Sequence, residues 1–226
     1  MSRSHHVGIL LSIPALIFDL DGTLIDSTPV YAEAAHRAFH ECDVRYTEEE
    51  FHQLAVGIPL KVWLTEKGIP EEQIPIVADR RDALVIELFE TKVAWREGAL
   101  EAITYLSSRV PLALCTGAWT KTIEAIDTKL NLKKLFPVII DGDAVKPRFK
   151  PDPYGLKLAA EQLGVSCQHC VYAGDQLFDM LAAKAANMTG ILIPGTHTTM
   201  TEELRETTDK SFDDWNGFLE WVKTMS

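Results

Sequence analysis

The run Ala15-Leu16-Ile17-Phe18, followed at once by Asp19-Leu20-Asp21-Gly22-Thr23, constrains this chain more than any other stretch. Four apolar residues without alternation suit a strand buried on both faces, as in the middle of a parallel sheet. Two carboxylates then arrive two residues apart, where that strand must end. Period-2 geometry sends them toward the same side, and Gly22 lets the chain turn sharply after them. In open α/β sheets, sites gather outside the carboxyl ends of strands. Ionising two acids this close is costly without a cation between them, and hard oxygen donors suit Mg²⁺. A solvated Asp-Leu-Asp-Gly turn would read the same way, so residues downstream decide.

Further buried strands are expected at residues 110–115 and 170–173, and short strands at 138–140 and 190–193, the last of these closing the sheet. Helices are expected at 99–108, with Leu100, Ile103 and Leu106 inward, and at 120–130. Another runs from its N-cap Asp152, before Pro153, to Gly164. The helix after Gly174-Asp175 carries a small-residue face of Leu181, Ala182, Ala185 and Ala186. Ser211 reads as the cap of a C-terminal helix, with Asp214 at the capping-box position. Phe212, Trp215, Phe218, Leu219 and Val222 form its apolar stripe. This alternation predicts an α/β fold, a doubly wound, Rossmann-like parallel sheet.

Between Ser27 and Trp95 nothing reads as a strand. Asp26-Ser27-Thr28-Pro29, Thr47-Glu48-Glu49-Glu50 and Pro70-Glu71-Glu72 each have the look of a helix start. About seventy residues is far longer than an ordinary crossover. The reading is therefore a core of residues 1–26 and 96–226, with an all-helical unit, 27–95, inserted. Within that unit, a turn containing Gly57 separates two helical patterns and could dip over the core site. Lys61 is the nearest cation to it. It is either a ligand for a substrate's distal acid group or a solvated helix lysine.

Four chemical signals fall at the expected strand ends besides Asp19 and Asp21. Thr116-Gly117 offers a hydroxyl and backbone N–H groups to a phosphate oxygen. Lys150 is pinned by the prolines on either side of it in Lys146-Pro147-Arg148-Phe149-Lys150-Pro151. Gly174-Asp175 closes a strand, and Asp179 lies one helical turn further on.

A net charge of −11 argues against nucleic acid or an anionic membrane as the main partner. A small anionic substrate then needs local positive charge. Cys42, Cys115, Cys167 and Cys170 show no secretory pattern, which suggests a reducing compartment. Cys167-Gln168-His169-Cys170 lacks a second Cys/His pair at zinc spacing and reads as a loop. Arg3 followed by apolar residues 7–11 and 13–18 imitates a signal peptide. Cleavage there would remove the strand carrying Asp19, so it reads as a leader into the core of a cytoplasmic protein; the oligomeric state is left open, with a monomer favoured.

The ordered set Asp19-Leu20-Asp21-Gly22-Thr23, Thr116, Lys150-Pro151-Asp152-Pro153 and Gly174-Asp175 with Asp179 resembles the four core motifs of the haloacid dehalogenase superfamily. The likeness is greatest to its phosphoglycolate phosphatase and β-phosphoglucomutase branch, and the inserted helices look like that superfamily's first type of cap. The resemblance implies a Mg²⁺-dependent phosphatase acting on a small phosphate monoester, such as a sugar phosphate or phosphoglycolate. Asp19 would be the nucleophile, forming an aspartyl-phosphate, and Asp21 the acid and then the base. Asp19, the backbone carbonyl of Asp21, and Asp175 would hold the metal, with Asp179 orienting metal-bound water. Thr116, Gly117 and Lys150 would bind the phosphoryl oxygens.

A phosphomutase shares this core, and a non-enzymatic phosphometabolite sensor is a third reading. Dehalogenation needs neither Asp21 nor the metal, and the superfamily's phosphonatases lack the second Asp. Mutases of the branch carry a histidine ten residues beyond the acid/base aspartate, where this chain has Tyr31. It also departs from the branch at Arg96-Glu97-Gly98 (usually Pro-Gly), at Phe149 (often Gly) and at Asn187 (commonly Gly).

Overall fold

The four apolar residues before Asp19 form β1 (Ala15–Phe18), each of them wholly buried. Parallel strands flank it on both sides, which is why no polar residue alternates within it. The computed structural model describes residues 15–55 and 60–224, the side chains of 52–55 apart. The leader-like segment before residue 15 and the turn at Gly57 lie outside the described residues.

From β1 the chain passes through α1 (Thr28–Glu41), α2 (Glu48–Ala55), α3 (Leu60–Glu66), α4 (Ile74–Lys92) and α5 (Ala99–Ser107) to reach β2 (Leu112–Cys115). Next come α6 (Thr120–Leu130), α7 (Leu132–Leu135), β3 (Val138–Ile140), α8 (Gly142–Val145) and α9 (Tyr154–Leu163). The remainder is β4 (Cys170–Gly174), α10 (Leu177–Ala185), β5 (Thr189–Leu192), α11 (Glu202–Thr207), β6 (Lys210–Ser211) and α12 (Trp215–Lys223).

The sheet has six strands in the order β3-β2-β1-β4-β5-β6, with every neighbouring pair parallel. The chain builds outward from β1 to β3, then crosses to the other side at β4. The crevice between the carboxyl ends of β1 and β4 is thus the topological switch point, where such sheets bind ligands. Alternate strand residues part to opposite faces. Leu16, Phe18, Leu112 and Leu114 share a core with α5, α6 and α12. Ala15, Ile17, Ala113 and Tyr172 share another with α9 and α10. Full burial of such a side chain contributes on the order of 1.5–3 kcal/mol.

Between β1 and α5 the described chain is helical, as its pattern predicts. Phe39, Phe51, Trp63, Leu64 and Val77 form a separate apolar cluster there. Residues of α1 and α4 nearer the sheet (Ala34, Leu84, Val85, Phe89) belong instead to the main core. The two connections to this unit run side by side, since Ile25 and Trp95 form an antiparallel bridge.

The structure corrects several details. Glu71 and Glu72 lie in a turn, and α4 begins at Ile74, with Pro75 in its first turn. Leu100 is exposed, and α5 turns Ala99, Ala102, Ile103 and Leu106 inward. Ala183 takes the buried place expected of Ala185. Helix α9 starts at Tyr154, although Asp152 does accept its N–H, at 2.8 Å. Asp214, not Ser211, caps α12, its carboxylate accepting the Gly217 N–H at 2.8 Å. Ser211 instead belongs to β6, a strand the apolar pattern does not show, so residues 190–193 do not close the sheet. Ser27 precedes α1 but makes no side-chain cap. Among the described residues no helix is long and apolar enough to cross a membrane.

Candidate active site

Asp19 follows β1 directly, and its N–H is donated to the Ala173 carbonyl of β4 at 2.9 Å. That fixes its carboxylate at the mouth of the crevice. Lys150 reaches the same point from the loop before α9. Its Nζ lies 2.6 Å from Asp19 Oδ1, 2.6 Å from Asp179 Oδ1 and 2.9 Å from the Tyr172 hydroxyl. The lysine side chain is only 12% exposed. Burial alone would lower its pKa, but Asp179 and Asp19 outweigh that and hold the ammonium well above its ordinary value.

Asp179 stands at the third position of α10. Its Oδ2 accepts the N–H groups of Asp175 and Gln176 at 3.2 and 3.0 Å and closes a capping box with Gln176. Both its oxygens are therefore engaged, one in holding Lys150 and the other in shaping the loop that carries Asp175. Asp175 in turn accepts from the Thr23 hydroxyl at 3.0 Å and from Gln176 Nε2 at 2.6 Å. Burial, with Asp179 adding, pushes its carboxyl up to about 6. Gly22 has φ +81°, and a Cβ there would sit 2.6 Å from Asp175 Oδ2. Only glycine lets the first loop lie against that acid.

One oxygen from each of Asp19, Asp175 and Asp179 lies within 4.8 Å of the others. Three buried acids against one ammonium leave an excess of negative charge in a poorly solvated place. Burial drives the Asp19 carboxyl well above the usual range; Lys150 opposes this, and Asp179 and Asp175 add to it. A hard-oxygen donor set with unmatched charge fits a divalent cation.

The Asp21 side chain lies outside that cluster. Its Oδ1 is buried with no hydrogen-bond partner among the described residues. Burial raises its pKa, with the hydroxyls of Ser27 and Thr116 and the charge of Lys150 pulling the other way. Such a carboxyl, protonated more readily than a solvated one and bare at one oxygen, suits proton donation. Thr116 is buried at the end of β2, and its Oγ1 accepts the Ala118 N–H at 3.1 Å.

A cavity of about 870 Å³ opens over Asp19, Asp21, Thr116, Gly117 and Lys150, with Tyr31 and Arg81 on its helical side. Lys61 is exposed on α3 and is not among the residues that line it. Two contributors escaped the sequence reading. Tyr172 supports Lys150 from within β4, where it looks like any buried strand residue. Arg96 donates to the carbonyls of Gly22 (2.7 Å), Thr23 (3.2 Å), Ile193 (3.4 Å) and Pro194 (2.6 Å), tying the first loop to the end of β5. Its only signal was the departure from Pro-Gly.

A sequence profile for haloacid dehalogenase-like hydrolases matches residues 16–193. The chain belongs to the haloacid dehalogenase-like hydrolases. A phosphoglycolate phosphatase of Colwellia psychrerythraea is 32% identical over 190 residues, 78% of this chain and 82% of that one. A phosphorylated carbohydrates phosphatase of Thermotoga maritima is 34% identical over 186 residues, 78% of this chain and 83% of its own. Among solved structures, a T. maritima protein provisionally assigned as a β-phosphoglucomutase superposes with a TM-score of 0.78 at 27% identity, covering 93% and 98% of the two chains. This member of the family is an enzyme, a hydrolase of phosphoric monoesters. Asn187 has φ +58°, a conformation asparagine tolerates better than most residues.

Proposed function

We propose that this hydrolase is a Mg²⁺-dependent phosphatase that cleaves a small phosphate monoester through a phosphoryl group carried on Asp19. The observation that carries the reading is the pairing of Asp19 and Asp179 with one buried ammonium, Lys150, beside an Asp21 oxygen that has no partner among the described residues. Helical residues 27–95 act as the cap. The relatives' names, for phosphoglycolate and for phosphorylated carbohydrates, support a small monoester.

Asp19, Asp175 and the backbone carbonyl of Asp21 would hold the ion. When bound, Mg²⁺ offsets the negative charge that keeps a carboxylate from approaching a phosphate dianion. The chain's own residues do the rest. Thr116, Gly117 and Lys150 bind the non-bridging oxygens and place phosphorus in line with Asp19. An Asp19 oxygen bonds to phosphorus as the ester P–O bond breaks, and Asp21 gives its proton to the departing alkoxide. Asp21, now ionised, takes a proton from water; that water attacks phosphorus, the bond to Asp19 breaks, and inorganic phosphate leaves. Asp179 keeps Lys150 aimed throughout.

A phosphomutase would use the same residues. Tyr31 favours hydrolysis: it lines the cavity, and burial, with the nearby Asp21 charge adding, holds its hydroxyl well above the ordinary value, a poor proton shuttle. Incubation with phosphate esters and Mg²⁺ should release inorganic phosphate, a release that EDTA stops and added Mg²⁺ restores. With β-glucose 1-phosphate and a trace of the 1,6-bisphosphate, glucose 6-phosphate appearing faster than inorganic phosphate would identify a mutase instead.

A further inference from the structure

Three large aromatic side chains stand part-exposed around one cavity. Trp119 is 43% exposed, Phe149 38% and Phe178 44%, and all three line the space above Asp19. Each stands beside a different site residue: Trp119 three residues after Thr116, Phe149 immediately before Lys150, and Phe178, in the first turn of α10, immediately before Asp179. Exposed apolar residues scattered singly need no explanation, but a cluster rimming a concave site does.

The rim is also held in place. The rings of Trp119 and Phe149 meet at 90°, with centroids 5.8 Å apart. A Cβ at Gly142 would lie 3.1 Å from Trp119 Cε3 and 2.6 Å from the Gly117 carbonyl oxygen, so the indole seats directly on bare backbone.

Charge points the same way. Beyond Asp19, Asp21 and Lys150, the described lining holds four acids, Asp79, Asp82, Asp143 and Asp152, against three bases, Arg81, Lys121 and Arg148. Arg148 pairs with Asp152 at 3.1 Å, whereas Arg81 Nε lies 2.9 Å from Asp82 Oδ1 without the geometry of a hydrogen bond. Acids outnumber bases along this lining, so a second anionic group on the substrate, such as the carboxylate of phosphoglycolate, meets no net positive charge there. The volume of about 870 Å³ is also near the top of the range for small-molecule sites, about 300–1,000 Å³.

We infer that the alcohol half of the substrate carries a planar aromatic ring and no second acid group, with Trp119, Phe149 and Phe178 as the wall that selects it. This rests on the phosphatase reading and narrows it.

The test compares kcat/KM, with the full chain and Mg²⁺, for four unactivated esters: ethyl, cyclohexylmethyl, benzyl and 2-naphthylmethyl phosphate, beside phosphoglycolate. Naphthylmethyl phosphate should exceed ethyl phosphate and phosphoglycolate by about tenfold or more, from apolar burial plus aromatic contact. Benzyl should exceed its saturated counterpart, although the cyclohexyl group is the more hydrophobic of the two, because only the planar ring makes aromatic contacts. In Trp119→Leu the ratio of naphthylmethyl to ethyl phosphate should fall severalfold, whatever the change in absolute rate. Phosphate release from ethyl phosphate or phosphoglycolate at least as efficient as from the benzyl and naphthylmethyl esters overturns the aromatic assignment and leaves the phosphatase intact. Equal rates for benzyl and cyclohexylmethyl also overturn it. Release from none of the five, nor from p-nitrophenyl phosphate, overturns the phosphatase reading and this inference together.

Discussion

Lys150 is the residue on which the site's electrostatics balance. Its ammonium answers two buried carboxylates at once, 2.6 Å from each. Removing one partner from a buried ion pair leaves an uncompensated charge and costs on the order of 3–5 kcal/mol. Lys150→Met should therefore lower the urea midpoint sharply as well as abolish turnover, and adding Asp179→Asn should recover part of the lost stability. Asp19→Asn should separate the two properties. With Asp19 as the proposed nucleophile, its loss should cut phosphate release by about a thousandfold or more. Without metal, however, the variant should melt no lower than the wild type, because one of three crowded acids has become neutral. An Asp19→Asn protein that keeps more than a few per cent of its activity would refute the covalent route.

Among the elements, α12 offers the clearest check. Its N-cap is Asp214, whose carboxylate takes the Gly217 N–H, so Asp214→Ala should cost about 1 kcal/mol in denaturant unfolding. Ser211→Ala should be close to neutral, since Ser211 sits exposed in β6. The difference shows what could be read from the chain alone. Strands buried on both faces leave a continuous apolar run, so Ala15–Phe18 was legible to the residue, as was Val138–Ile140, a partly buried edge strand that is also apolar throughout. So was α6, bounded by a turn and a left-handed asparagine. β6 has no such run. Lys210 and Ser211 are exposed, and they become a strand only by pairing with Ile191 and Leu192, far back in the chain. That Asp19, Thr116, Lys150 and Asp175 should gather at one sheet edge was legible too, because strand ends are marked by where apolar runs stop. The supports were not. Tyr172 and Arg96 act through partners brought near only by folding, and the aromatic rim is split among two loops and the first turn of α10.

Across the whole molecule, Arg96 stands where the chain returns from the helical insertion. It donates to four carbonyls on two loops that both border Asp175. Hydrogen bonds from a charged donor contribute about 1.5–3 kcal/mol each when well made. Arg96→Ala should thus destabilise the fold by at least about 3 kcal/mol in urea titration. Arg96→Lys should recover little, because one ammonium cannot span the same spread of acceptors.

The packing of α4 against α6 bears on how the enzyme breathes. Leu84, Val85, Leu88 and Phe89 of the insertion share one apolar core with Ile123 and Ile126. Any swing of the helices wide enough to part that seam hydrates oily surface, and such exposure carries a positive heat-capacity change. Bond-making at Asp19 carries none of comparable size. A turnover rate that bends away from a straight Arrhenius line would then mark opening as the slow event, and Val85→Ala should flatten the curve.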